Sequence, residues 1–369
     1  SVIVMKLPAH RAGLPGDVNT ITGSAFLPAY LPTAGRQGGA SSRLARKGGN
    51  DFMDCPHRKH LTRRQFLKGA ATAVALPHLV SMPYLLDPPP IHASGESELI
   101  IAKQGSPTQL LQAALAPLGG MGRFVKQGQR VVIKANIAWA RTPEQGCTNN
   151  PELFMALIKT CYDAGAKRVA VWDHTCDNYQ FTFSRSGLKD AAQKAGADIF
   201  SGHGQNVYKP VQIPKGIKLK KAEILRDVLE SDVFINFPIP KHHFATELTL
   251  GMKNLIGIVW NMEQLHKIDL HQCIADVNTL RKPDLVVMDA IRILTTNGPK
   301  GPGKTEDIGE VSASTDIVAI DSYGATYFKN PKTGQPFKGE EIQFVKHAYD
   351  LGLGQIDLAK VQVKRVSAT

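Results

Sequence analysis

The chain has 369 residues, 43% of them hydrophobic and 21% charged, the ordinary composition of a globular protein. Its net charge of +12 is unevenly placed: residues 1–90 hold 11 Lys and Arg against 4 Asp and Glu, the remainder 33 against 28. Most of the excess belongs to the leader. Apart from a lysine-rich patch at 209–221, no basic stripe with interleaved aromatics occurs, which excludes nucleic acid as the expected partner.

Residues 1–52 are rich in Gly, Arg, Ser and Pro and carry no chemistry. They read as a disordered or mis-called upstream extension, with Met53 as the expected start. Residues 53–96 form a leader and linker. Within them "LTRRQFLKGAATAVALPHLV" (61–80) resembles the twin-arginine export signal, whose core reads Ser/Thr-Arg-Arg-x-Phe-Leu-Lys; Thr62, Arg63, Arg64, Phe66, Leu67 and Lys68 fill every specified position. The resemblance implies the twin-arginine export machinery as a partner and a periplasmic or extracellular destination. It also implies transport of a folded chain, often one already carrying a cofactor. Pro77, His78 and Pro83 interrupt the short apolar segment, so no permanent membrane span is expected. Ala93 is the expected last residue removed.

From residue 97 the chain alternates short apolar runs with helical patterns. "RVVIKAN" (130–136), "RVAVWDH" (168–174), "DVFINFP" (232–238) and "DLVVMDAI" (284–291) predict strands. "PELFMALIKTCYDAGAK" (151–167), opened by Pro151 and stopped at Gly165, predicts a helix, as do "GLKDAAQKAGA" (187–197) and "LHQCIADVNTLR" (270–281). Residues 315–328 read as a turn entering a helix with Asp316 at its N-cap. A small inserted hairpin is expected near 205–222. The whole predicts an α/β fold: a mostly parallel sheet with helices on both faces, forming a single large domain over 97–369.

Each predicted strand ends in polar residues on its C-terminal side: Lys134 and Asn136, Asp173 and His174, Asn236 with Lys241 and His243, and Asp289. In open α/β sheets ligands bind outside the carboxyl ends of the strands, so this edge is the expected site. Adjacent His242 and His243 on an extended segment point opposite ways, and only one is expected to face a ligand. His243 is the candidate general acid/base or metal ligand, and Lys241 the candidate anion contact. Prolines turning the chain at a strand end, with the polar groups merely reaching water, is the bland alternative. Lys253 and Asn254 sit among apolar neighbours, and a buried ammonium needs a carboxylate, a carbonyl cage or an anionic ligand unless it snorkels to solvent. Asp173, His174, His243 and Asp289 are the candidate metal ligands. His266 remains a lone candidate, since His271 lies on a different helical face. "NGPKGPGK" (297–304) lacks the spacing of a phosphate-binding loop and reads as a mobile loop capping the site, with Gly298 and Pro299 as ligand contacts. Asp316 and Asp321 share a ligand only if their segment is not a regular helix.

After the leader the cysteines are Cys147, Cys161, Cys176 and Cys273, with no C-x-x-C, so an iron–sulfur cluster is not expected. Disulfides stay open among three pairings.

The stretch "PIPKHHFATELTLGMKNLIG" resembles the hallmark of the domain-of-unknown-function family DUF362, P-x-x-K-x-H-x-x-T-x-x-T-x-x-x-K-N-x-x-G. Pro238, Lys241, His243, Thr246, Thr249, Lys253, Asn254 and Gly257 fill its positions. "VVIKANIA", "TNNPELFMALIKTCYDAGAKRVAVWDH", "KPDLVVMDAI", "DIVAIDSYGA" and "GLGQIDLAKVQV" follow the same family in order over about residues 97–365. Many members carry a ferredoxin-like module; this chain lacks its cysteine clusters. The expected function is a metal- or cofactor-dependent enzyme, redox chemistry included, acting on an anionic small molecule. His243, Lys253 and Lys241 are the candidate catalytic residues, Asp173 and Asp289 ligands or base, and Lys134, Asn136 and Asn254 further ligand contacts. The cofactor itself is unknown, with a metal ion as the candidate. The alternatives are a non-catalytic periplasmic binding protein for an anionic ligand and a nickel-pincer racemase-like enzyme.

Overall fold

The structure is a computed structural model that describes residues 97–369. The upstream extension and the twin-arginine motif lie outside these residues. Strand β1 (Glu98–Lys103) leads into α1 (Pro107–Leu115), which Ser106 and Gln109 start with a reciprocal capping box. Strand β2 (Arg130–Lys134) follows, then α2 (Pro151–Asp163), β3 (Arg168–Asp173), α3 (Tyr179–Arg185), α4 (Leu188–Lys194) and β4 (Asp198–Ser201). The α2 start is doubly specified: Pro151 takes the first position, and the Asn150 side chain accepts from the amides of Glu152 and Leu153. Leu153, Phe154, Leu157, Ile158 and Cys161 then bury one face at helical spacing.

The hairpin β5 (Tyr208–Gln212) and β6 (Lys221–Leu225) forms a separate two-stranded sheet where an insertion was expected. After α5 (Arg226–Glu230) come β7 (Val233–Asn236), the short hairpin β8 (Lys241–His243) and β9 (Glu247–Thr249), and the single turn α6 (Gly251–Asn254). Helices α7 (Met262–Ile268) and α8 (Leu270–Asn278), strands β10 (Leu285–Leu294) and β11 (Thr305–Ser314), α9 (Ile317–Ala325), α10 (Gln343–Asp350) and β12 (Gln362–Ser367) complete the chain.

The main sheet runs β12-β1-β11-β10-β7-β2-β3-β4, with β8 and β9 attached beside β10. From β10 to β4 every pairing is parallel, while β11 runs antiparallel to both β10 and β1. The mostly parallel sheet is as expected; the antiparallel arm is a difference. The segment 305–314 gives little strand signal because its first half is charged around Gly309 and its second half is built of small residues. Its pairing with two neighbours, not its propensity, makes it a strand.

Both faces of the sheet are covered. Leu99, Ile101 and Val132 pack with Ile274, Ile320 and Phe344 of α8, α9 and α10 on one side. Ile100, Val131 and Ile133 pack with Leu110, Leu153 and Leu188 of α1, α2 and α4 on the other. Alternation along one strand thus feeds two cores. Among the described residues no helix is long and apolar enough to cross a membrane, and all four cysteines are free.

Candidate functional site

The parallel strands deliver their C-terminal residues to one edge. Lys134 is the last residue of β2, Asp173 the last of β3 and Asn236 the last of β7. They meet there with β8 and with the α6 turn. All three ammonium donors of Lys134 are engaged: by Asp173 Oδ1 at 2.8 Å, Ala135 O at 2.7 Å and Asn254 Oδ1 at 3.1 Å. Asp173 Oδ2 also accepts from the Ile137 amide at 2.5 Å. Asn254 binds the strands together, accepting from Asn136 Nδ2 at 3.0 Å and donating to Asn236 Oδ1 at 2.8 Å. Gly257 presses against this group, where a Cβ would lie 2.7 Å from Lys134 Cε.

Lys241, 1% exposed, donates to Asn136 Oδ1 at 2.8 Å and to Cys147 O at 2.5 Å, which leaves one donor uncommitted. Burial pushes its pKa down to about 8, against the opposing pull of nearby acidic groups. Lys253, also buried, has no hydrogen-bond or carboxylate partner among the described residues. Its pKa is likewise lowered to about 8, by burial first and also by the charges of Lys241 and Lys134. Of the ways to satisfy a buried ammonium, the fold supplies neither carboxylate nor carbonyl cage; the side chain opens only to the pocket.

The α6 turn that carries Lys253 is fixed from below. Asp321 of α9 accepts the amides of Gly251 at 2.7 Å and Met252 at 2.8 Å. A Cβ on residue 251 would sit 2.7 Å from that carboxylate, so the turn requires glycine. Burial raises the Asp321 pKa to about 7. Asp316 caps α9 and Asp321 lies within that regular helix, so the two do not share a ligand.

His243 Nδ1 accepts from the Ala245 amide at 3.1 Å, which places the neutral ring's proton on Nε2. Burial, reinforced by Lys253 and Lys241, lowers its pKa to about 2. The ring is therefore a neutral N–H donor. His242, its neighbour, turns the other way and accepts from the Gly298 amide at 3.0 Å.

These groups line one pocket of about 80 Å³, small beside the roughly 300–1,000 Å³ usual for organic ligands. Its lining includes Lys134, Asn136, Asp173, Lys241, His243, Lys253, Asn254 and Pro299. Three lysines face one carboxylate there, a surplus of two positive charges when all are protonated. Trp139, Ile256 and Met262 give it apolar wall, and Thr249 lines it with a buried hydroxyl that has no partner.

The proposed metal set does not assemble. Among the described residues no three His, Cys, Asp or Glu side chains form a metal-holding group. Asp173 is committed to Lys134, and Asp289 accepts from the amides of Asn150 at 2.6 Å and Ile291 at 3.3 Å, outside the pocket lining. Burial raises the Asp289 pKa to about 6. The His243 tautomer puts a proton, not a lone pair, on Nε2. His174 lines the pocket as an aromatic wall, stacked on Trp260 at 5.6 Å and edge-on to His203 at 4.9 Å. Gly298 lies outside the lining and serves close packing of its loop on β8, where a Cβ would lie 1.8 Å from His242 O. His266 is exposed and outside the lining. Trp139 carries no site signal in the sequence, because its place depends on distant elements meeting. Thr249 is marked there only by the family hallmark, and Asp321 only as a partner of Asp316, not as the support of the α6 turn.

A relative, a thylakoid-associated protein of Synechocystis sp., is 28% identical over 225 residues, covering 59% of this chain and 68% of its own. Among solved structures, the lactate racemase apoprotein from Thermoanaerobacterium thermosaccharolyticum matches with a TM-score of 0.40 and 13% identity. That match covers 61% of this chain and 55% of the racemase, and so loose a likeness carries no argument about function. A family model described as a domain of unknown function, DUF362, matches residues 131–326, the span that contains every residue lining the pocket. The chain belongs to the DUF362 family.

Proposed function

We propose that the pocket binds a small anionic molecule and that the protein is an enzyme acting on it. Lys253 carries this reading: a buried ammonium without a protein partner, in a pocket with surplus positive charge. An anion lying against Lys253 would supply the missing partner, take the free donor of Lys241 and accept from His243 Nε2–H. The saturated group of Lys134, Asp173, Asn136 and Asn254 serves as the rigid floor. A second reading, a binding protein that holds the anion without turning it over, draws on that same rigidity. Turnover of the bound compound separates the two.

The test is a thermal-shift titration with oxalate, lactate and phosphate, each beside an uncharged analogue, on wild type and Lys253→Met. The expected result is stabilisation by at least one anion, absent with uncharged analogues and weakened at least tenfold in the variant. Equal shifts in both proteins would place the anion elsewhere.

Export rests on Thr62–Lys68 alone. We propose the twin-arginine route to the periplasm. Fractionation of cells expressing Arg63→Lys/Arg64→Lys would retain the chain in the cytoplasm if this is right.

A further inference from the structure

Three lysines meet in this pocket, and their hydrogen bonding sorts them. Lys134 has all three donors taken, one of them by the Asp173 carboxylate, and has none left to offer a ligand. Lys241 has two donors taken by oxygen acceptors, which hold it as a directed cation with one N–H to offer. Lys253 has none taken. No hydrogen bond among the described residues holds its proton, and burial and two nearby cations oppose it against the pull of Cys176 alone.

From this sorting we propose that Lys253 is a nucleophile that forms a reversible imine with a small 2-oxo acid, whose carboxylate is held by Lys241. The proposal rests on the reading of the pocket as an anion site and names the substrate class. A volume of about 80 Å³ suits an acid of two or three carbons. The Trp139, Ile256 and Met262 walls limit the water that would hydrolyse the imine. Thr249, with its buried unpartnered hydroxyl, His243 Nε2–H and the Cys176 thiol are polar groups of the lining available to the carbonyl oxygen.

The step balances without a further reactant. The unprotonated Nζ of Lys253 gives its lone pair to the carbonyl carbon, and the C=O π pair moves to oxygen. That oxygen takes up the proton lost from nitrogen, giving a carbinolamine. The remaining N–H proton then passes to the hydroxyl as the C–O bond breaks, releasing water, and the nitrogen lone pair forms the C=N bond to Lys253. No oxidant or reductant is consumed. The lowered Lys253 pKa, about 8, leaves an appreciable unprotonated fraction near neutrality.

The experiment treats the full chain with pyruvate or glyoxylate in the presence of borohydride, which reduces the imine to a stable amine. Intact mass and peptide mapping follow, on wild type, Lys253→Arg, Lys253→Met and Lys241→Met. The expected product is a single adduct, heavier by the mass of the oxo acid less one oxygen atom. It maps to Lys253, is absent from both Lys253 variants and is reduced at least tenfold in Lys241→Met. Labelling spread over surface lysines, labelling at Lys241, or no adduct at all overturns the imine. Thermal shifts with oxalate and lactate, which have no reactive carbonyl, are run alongside. If these anions stabilise wild type but no adduct forms, the anion site stands and the imine falls. If neither occurs, both fall together.

Discussion

On the antiparallel arm, Glu310 of β11 is 4% exposed, and its carboxylate is completed within the fold. Lys103 lies 2.6 Å away, and the hydroxyls of Tyr323 and Tyr327 donate at 2.7 and 2.9 Å. On the parallel arm, Lys253 is 8% exposed and has no partner among the described residues. Both are charges taken out of water. One is finished by its own chain and the other is left open. Desolvation is tolerated structurally only where hydrogen bonds and counter-charge replace the lost water. An open group marks a place where a ligand or a change of protonation must complete the balance.

The largest effect that sharpens this contrast belongs to Lys134, the finished neighbour of Lys253. Lys134→Met leaves Asp173 buried without its partner and is expected to cost about 3–5 kcal/mol of stability in urea unfolding. A cost below about 1 kcal/mol would show that the ion pair does not hold the strand ends. Next comes Glu310→Ala, which strands two buried tyrosine hydroxyls; the half-exposed Lys103 returns to water. About 1–3 kcal/mol is expected from the same measurement.

A smaller effect is expected from pH. Asp321 has its folded pKa raised to about 7 from the ordinary 3.8, so the native state holds a proton that the unfolded chain gives up. Its contribution is full below about pH 4 and is lost as pH rises to 7. Asp289, raised to about 6, acts in the same direction. Asp321→Asn should flatten part of the decline in melting temperature across that window. An unchanged slope would assign the decline to other groups.

The smallest effect has the opposite sign. Lys253→Met should leave stability at pH 7 unchanged or slightly raised, since it removes a buried, unpartnered ammonium. The wild type's folded pKa is about 8 against an ordinary 10.5, so its stability rises as pH climbs through that interval. The variant should lose part of that rise, with Lys241 supplying the remainder. A marked loss of stability in Lys253→Met would mean that the lysine has a structural partner after all, and the contrast would collapse.

Much of this molecule can be read from its residues in order. The strands ending in Lys134, Asp173 and Asn236, the helix opened by Asn150 and Pro151, and the cap at Asp316 all follow from local rules of periodicity and capping. Those rules act over a few residues and survive in any environment. The strand-end argument also led to the candidate pocket, because parallel strands with helical crossovers must present their carboxyl ends together. Which polar groups face one another was not legible. Asp173 and His174 look alike as ligands in sequence, yet one is consumed by an ion pair and the other by aromatic packing. Asp289 sits in the middle of β10, not at its end as the sequence suggested, and is spent on the amides of Asn150 and Ile291. Lys134, Lys241 and Lys253 are three similar lysines in the chain. Only the partners brought from β3, the α6 turn, Asn136 and the 146–150 loop saturate Lys134, hold Lys241 with one donor to spare and leave Lys253 without a partner among the described residues. Hydrogen bonds between residues a hundred positions apart carry no local signature, so tertiary structure alone decided which charge the fold completes and which it leaves without a partner among the described residues.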